Sequence, residues 1–142
     1  APRVIHQNAV IQLVLVLASV APPGVRVLAA PVDVRFSMKR QLQPDVLVVV
    51  DGPLDVPRID TTPLLVVEVL SKSTRSRDLV AKRNAYQDAG IASYWIVDTA
   101  VPSLTVLELV DGVYVETVFT GEEPCNVTSP FAVQLDAAAL IR

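Results

Sequence analysis

Leu64-Leu65-Val66-Val67-Glu68-Val69-Leu70 leads through Ser71-Lys72-Ser73-Thr74 into the stretch from Arg75 to Ala89. The first block is an aliphatic run bounded by turn residues, the pattern of a strand covered on both faces. Its one carboxylate, Glu68, sits where a charge is costly unless something pairs with it. Residues 75–89 read as a helix. At about 100° per residue, Leu79, Lys82, Tyr86 and Ala89 share one face, and Arg77, Ala81, Asn84 and Asp88 lie opposite. Lys82 therefore falls on the face that meets the sheet. Two inward charges of opposite sign in consecutive elements point to a site.

Outward from this stretch, Val4 to Val20 reads as a buried helix, with His6, Val10, Leu13, Val14 and Leu17 at helical spacing. Its Val and Ile content keeps a strand open as the alternative. Ala21-Pro22-Pro23-Gly24 ends it. Val25 to Ala30 and Val32 to Phe36 look like strands, with Pro31 as a break. Gln43-Pro44 enters Asp45-Val46-Leu47-Val48-Val49-Val50, a second strand apolar on both faces with a carboxylate at its mouth. Asp51-Gly52-Pro53 closes it, and Leu54 to Pro63 is a loop.

Gly90 stops the helix as a C′ glycine would. Ser93 to Asp98 is a third core strand. Leu104 to Val110 and Val113 to Phe119 flank Asp111-Gly112, a strong hairpin signal. From Gly121 the chain is loop-like as far as Phe131 to Leu135, and Asp136 is placed to cap a last short helix through Leu140. Together these elements predict an α/β sandwich, a mixed β-sheet flanked by helices. Residues 1–142 are expected to form a single domain, long enough to bury a core.

Composition narrows the chemistry. The net charge is −3, with no basic tail, which removes one argument for nucleic-acid binding while leaving room for a local patch. Cys125 is the sole cysteine and His6 the sole histidine. A disulfide framework, a thiolate metal site and a multi-histidine zinc centre are thereby excluded. The apolar run from Ala9 to Ala21 is too short to span a bilayer and lacks a signal-peptide pattern. The expectation is a soluble, cytoplasmic protein with no membrane partner. Exposed hairpin edges such as Val113 to Phe119 leave a homodimer open.

Asp45, Glu68 and Lys82 are the candidate catalytic residues. Two carboxylates on neighbouring core strands repel and need a cation between them. A hard ion such as Mg²⁺ or Mn²⁺ takes oxygen ligands and keeps several waters. Asp45, Glu68 and a backbone carbonyl at Val69 are its candidate ligands. Lys82 would help deprotonate an attacking water or stabilise charge building on a phosphate. The rival is a purely structural Glu68–Lys82 ion pair, although such pairs add little net stability after desolvation. Asp78, one turn before Lys82, can pair with it along the helix. His6 is more often a packed or capping histidine at such a position and is held as an additional candidate. Lys72, Arg75 and Arg77 form either a solvated turn or a phosphate contact at a helix N-terminus.

Several blocks then carry a resemblance: Pro44-Asp45-Val46-Leu47-Val48-Val49, Val66-Val67-Glu68-Val69-Leu70-Ser71, Ser73-Thr74-Arg75 and Asp78-Leu79. Lys82, Tyr86, Ala89-Gly90-Ile91 and Tyr94-Trp95-Ile96-Val97-Asp98 continue it, and His6-Gln7 before an apolar helix fits as well. In order and spacing the chain resembles the Uma-two family of restriction endonucleases, within the PD-(D/E)XK nuclease superfamily. That resemblance implies a restriction-endonuclease-like core and a metal-dependent site acting on DNA. Asp45 matches the proline-linked aspartate and Glu68 the second acidic ligand. The superfamily lysine two residues beyond that acid is replaced by Leu70, and Lys82 matches the lysine carried by the following helix. Relatives also carry an acidic segment ahead of the histidine, so an N-terminal segment with a further acidic residue is expected upstream. The alternative is a nuclease-fold binding or assembly module without turnover.

Overall fold

The computed structural model describes residues 2–70 and 76–142, apart from the side chains of Ser76 and Arg77. In chain order the elements are α1 (Val4–Val20), β1 (Val25–Ala29), β2 (Val34–Ser37), β3 (Arg40–Leu42), β4 (Val46–Val50) and β5 (Leu65–Val69). There follow α2 (Ser76–Asp88), β6 (Ser93–Asp98), β7 (Ser103–Val110), β8 (Val113–Thr120), β9 (Cys125–Val127), β10 (Val133–Leu135) and a 3₁₀ turn, Ala138–Ile141. Six strands form one sheet in the order β1-β4-β5-β6-β7-β8. Within this sheet, among the described residues, only β5 and β6 pair in parallel, and α2 lies in the connection between them. A parallel pair needs such a crossover, whereas the antiparallel neighbours need only turns.

The sheet is covered on both sides, which explains its unbroken aliphatic strands. On one side Leu13 and Leu17 of α1 pack with Val46, Val48, Leu65, Val67 and Trp95, and the β9–β10 ribbon and the 3₁₀ turn join them. On the other, Tyr86 of α2 packs with Leu47, Val49, Val66, Tyr94 and Leu107. The alternation of β5 thus sends Leu65, Val67 and Val69 toward α1, and Val66 and Glu68 toward α2. A helix reading of Val4–Val20 and the wheel drawn for α2 both hold: Tyr86 is buried and Lys82 half-buried, while Ala81, Asn84 and Asp88 are exposed.

Local chemistry sets the ends. The β7–β8 turn places Asp111 at φ 52° and Gly112 at φ 80°, the doubly left-handed backbone that matches the strands' twist. After α2, Gly90 (φ 75°) donates to the Gln87 carbonyl and Ile91 to the Tyr86 carbonyl. That pair of bonds is a Schellman cap, and it fixes the last turn of α2 at Tyr86. Asp136 Oδ1 accepts from the Ala139 amide at 2.9 Å, the cap expected for the terminal turn.

Along the outer edge of β8, the Tyr114 amide donates to Gln87 Oε1 and its carbonyl accepts from Arg83. Six residues on, the Thr120 amide donates to Glu123 Oε1 and its carbonyl accepts from the Glu123 amide. Two short elements are additional to those expected. β3 pairs with β2 through a bulge at Phe36, and β9 pairs with β10. Among the described residues, no helix is long and apolar enough to cross a membrane.

Candidate active site

The site grows out of strand register. β4 and β5 pair Val46 with Val67 and Leu47 with Val66, so one further step sets Asp45 opposite Glu68. Pro44 keeps the chain extended on entry, and Asp45 turns its side chain along the sheet end. Its Oδ2 accepts from the Val69 amide at 2.7 Å, which fixes the carboxylate to the end of β5. His6 Nε2 lies 3.5 Å from Asp45 Oδ1. His6 itself is buried, and its Nδ1 has no hydrogen-bond partner. The one histidine of the chain, contributed by the first turns of α1, therefore meets the proline-linked aspartate.

Glu68 is 4% exposed, and each of its oxygens has a separate donor. Lys82 Nζ donates to Oε2 at 3.0 Å, and Tyr86 Oη donates to Oε1 at 2.7 Å. Lys82 and Tyr86 are four residues apart, one turn of α2, so a single helix face grips both ends of the carboxylate. Asp78 Oδ2 is 3.6 Å from Lys82 Nζ, the intrahelical pair anticipated. Tyr86 is in turn enclosed edge-on by the rings of Tyr94 at 4.8 Å and Phe36 at 5.6 Å.

The electrostatics follow from this packing. Burial raises the Glu68 carboxyl above the usual range, against the opposing pull of Lys82 and the Tyr86 hydroxyl. For Lys82, burial pulls downward, but the Glu68 carboxylate outweighs it and the ammonium is held more firmly than in water. Burial and the neighbouring Glu68 drive the Tyr86 phenol far upward, so it stays a neutral donor. The cluster is thus a desolvated carboxylate fixed by a permanent cation and a permanent hydroxyl.

Asp45, Glu68 and Lys82, chosen from sequence, converge, and His6 joins them. Lys72 and Arg75 lie outside the described residues, as does the side chain of Arg77. From sequence, Tyr86 is legible only as a packing residue. The signal for its polar role is its position one turn beyond Lys82, since a buried phenol needs a partner. The contact made by Val69 is through its amide, to Asp45. Among the described residues, no group of three or more His, Cys, Asp or Glu side chains gathers in a way that could hold a metal ion. What gathers is a pair of carboxylates.

A mixed six-stranded sheet with α2 in the crossover between its parallel strands is a nuclease-like α/β fold. The crystal structure of a "putative nuclease belonging to DUF820" from Anabaena variabilis has the same fold: TM-score 0.81 at 18% identity, covering 99% of this chain and 82% of that one. Residues 1–139 match the Uma2 family, described as "Putative restriction endonuclease", and the chain belongs to that family. Among curated proteins, none matches it.

Proposed function

We propose that this protein is a metal-dependent endonuclease that hydrolyses phosphodiester bonds in DNA. The observation that carries the proposal is the convergence of Asp45 at the mouth of β4, Glu68 of β5 and Lys82 of α2 at one end of the sheet. Asp45 and Glu68 would hold Mg²⁺ or Mn²⁺, with the Val69 carbonyl as a further ligand. The donor set fits such an ion. Four carboxylate oxygens retain lone pairs beyond their present hydrogen bonds, and Mg²⁺ is commonly held by one or two carboxylates with water completing its shell. When bound, the ion supplies Lewis-acid polarisation of the phosphate and acidifies water.

The chain's own groups do the rest. The Val69 amide and His6 orient Asp45, and Tyr86 orients Glu68. Lys82 is held as an ammonium by Glu68, which favours stabilisation of the developing phosphate charge over abstraction of a proton from water. The test is cleavage of plasmid DNA with Mg²⁺ or Mn²⁺. Nicking is expected from the wild type and lost in a Glu68→Ala, Lys82→Ala double variant. Cleavage that survives the double variant refutes the assigned site.

A second reading, a nuclease-fold binding module without turnover, is favoured by two observations. Both Glu68 oxygens already have protein donors, and the described residues gather no three-ligand cluster. Calorimetric titration with Mn²⁺ separates the two. Binding that disappears in Asp45→Ala supports the nuclease, and no binding by the wild type supports the module.

A further inference from the structure

Beside the site stands a hairpin whose chemistry differs from that of the rest of the chain. From Val34 to Leu42 the sequence carries Arg35, Lys39 and Arg40 and no acidic residue, in a protein of net charge −3. Its turn is Met38-Lys39, flanked by Ser37 and Arg40, and all four residues are exposed. Met38, at the tip, is 88% exposed. Arg35 is engaged by Asp60 at 3.7 Å, a carboxylate it shares with Arg58. Lys39 and Arg40 have no carboxylate partner among the described residues, and residues 71–77 contain no acid that could supply one.

The root of this arm is fixed to the site. Phe36, the bulged residue of β2, packs edge-on against Tyr86, whose hydroxyl holds Glu68. β3 runs through Gln43-Pro44 directly into Asp45. Gln43 Nε2 donates to Asp33 Oδ1 at 2.8 Å across the base, and main-chain bonds to Ile59 from either side of Val34 hold the other edge. The three residue steps from Leu42 out to Lys39 span about 10 Å at strand rise, enough to reach the floor of a DNA major groove, which is about 8.5 Å deep and admits a two-stranded ribbon.

We propose that the β2–β3 hairpin is a DNA-contacting arm of the site, with Lys39 and Arg40 on backbone phosphates and Met38 packed against sugar or base edges in a groove. The proposal rests on the reading of this chain as a DNA nuclease. Two cations with no carboxylate partner among the described residues, on an arm rooted in the site through Phe36 and Asp45, suit a polyanion passing that site, and the exposed Met38 adds apolar contact at the tip.

The test is fluorescence anisotropy of a labelled mixed-sequence DNA duplex with the full chain in metal-free buffer, repeated over a series of salt concentrations. Removing one cation from a phosphate should flatten the slope of log affinity against log salt by about 0.9. Lys39→Gln with Arg40→Gln is thus expected to flatten it by about 1.8 and to weaken binding on the order of tenfold or more near 0.1 M salt. Met38→Ser should weaken binding with the slope unchanged, because an apolar side chain releases no counterion. All of these positions are exposed, so the variants should keep the wild-type circular dichroism. A wild type that binds DNA alongside a Lys39/Arg40 variant with equal affinity and slope overturns the arm and leaves the nuclease reading standing. A wild type that fails to bind the duplex overturns the arm, whereas absence of plasmid cleavage with Mg²⁺ by a protein that binds bears on the nuclease reading alone.

Discussion

Replacing Lys82 with Met removes the ammonium and keeps most of the apolar stem. The Glu68 side chain it leaves behind is 5% exposed, and Lys82 itself is 24% exposed. Removing one partner of a fully buried pair costs about 3–5 kcal/mol, because the other charge stays desolvated and unpaired. Here a quarter of the lysine already faces water, which lowers that figure. The Tyr86 hydrogen bond also remains on Oε1. A loss of about 2 kcal/mol near neutral pH is expected.

The loss carries a pH signature. The folded-state pKa of Glu68 already lies above its ordinary 4.5 because of burial, and removal of Lys82 takes away the main opposing influence and raises it further. A carboxyl raised on folding contributes stability that is fully present below the unfolded pKa and disappears as pH climbs through the folded one. In Lys82→Met that decline extends over a wider range. The difference between variant and wild type should therefore be small near 4.5 and grow toward neutrality. Trp95, the only tryptophan and fully buried, reports unfolding by its fluorescence in urea. A cost below about 0.5 kcal/mol at neutral pH, within the range of an exposed pair, or a cost identical at both pH values, would mean that Glu68 does not depend on Lys82 for its compensation.

Two further outcomes follow from the same packing. Tyr86→Phe keeps the ring against Phe36 and Tyr94 but strips Glu68 of one donor, and should cost about 1.5–3 kcal/mol in the same urea assay. Little of that cost should remain on a Glu68→Leu background, which offers no acceptor, and full additivity in the double-mutant cycle would show that the hydroxyl acts elsewhere. Cys125 is buried, and burial pushes its thiol up to about 11. A thiol reagent at neutral pH should modify it only upon denaturation, so rapid labelling of native protein would contradict its placement in the core.

The main sheet and half of the site are legible in the sequence for physical reasons. Runs such as Val46 to Val50 and Leu65 to Val69 have no polar face to present, so strands buried on both sides are the natural outcome. A charge within such a run, as at Glu68, stands out because its surroundings are apolar, and Lys82 stands out because helical geometry turns it inward. β3 escapes a sequence reading because Arg40-Gln41-Leu42 is short, polar and joined to β2 by Met38-Lys39, which carries no turn chemistry. β9 is likewise three residues, and its pairing with β10 spans a loop that leaves no periodic trace. The meeting of His6 with Asp45 depends on how α1 lies on the sheet, a tertiary fact that no local pattern encodes. Helical geometry puts Tyr86 on the correct face but says nothing of its hydroxyl, because an aromatic at an inward position fits a core without any polar partner.

The bonds along β8 bear on what can invade the sheet. In an antiparallel ladder the main-chain groups that face outward recur at every second residue, so Tyr114, Glu116, Val118 and Thr120 present theirs to the open edge. Helix α2 has taken Tyr114, and the turn at Glu123 has taken Thr120. A second chain laid along Val113 to Phe119 would find main-chain partners at Glu116 and Val118 and would have to displace the bonds on either side. The strand is long and valine-rich, the composition that promotes fibrous stacking when an edge lies bare. Arg83 and Gln87 therefore occupy main-chain groups that an invading strand would need. Arg83→Ala with Gln87→Ala should leave the fold in place and raise its tendency to self-associate through this edge.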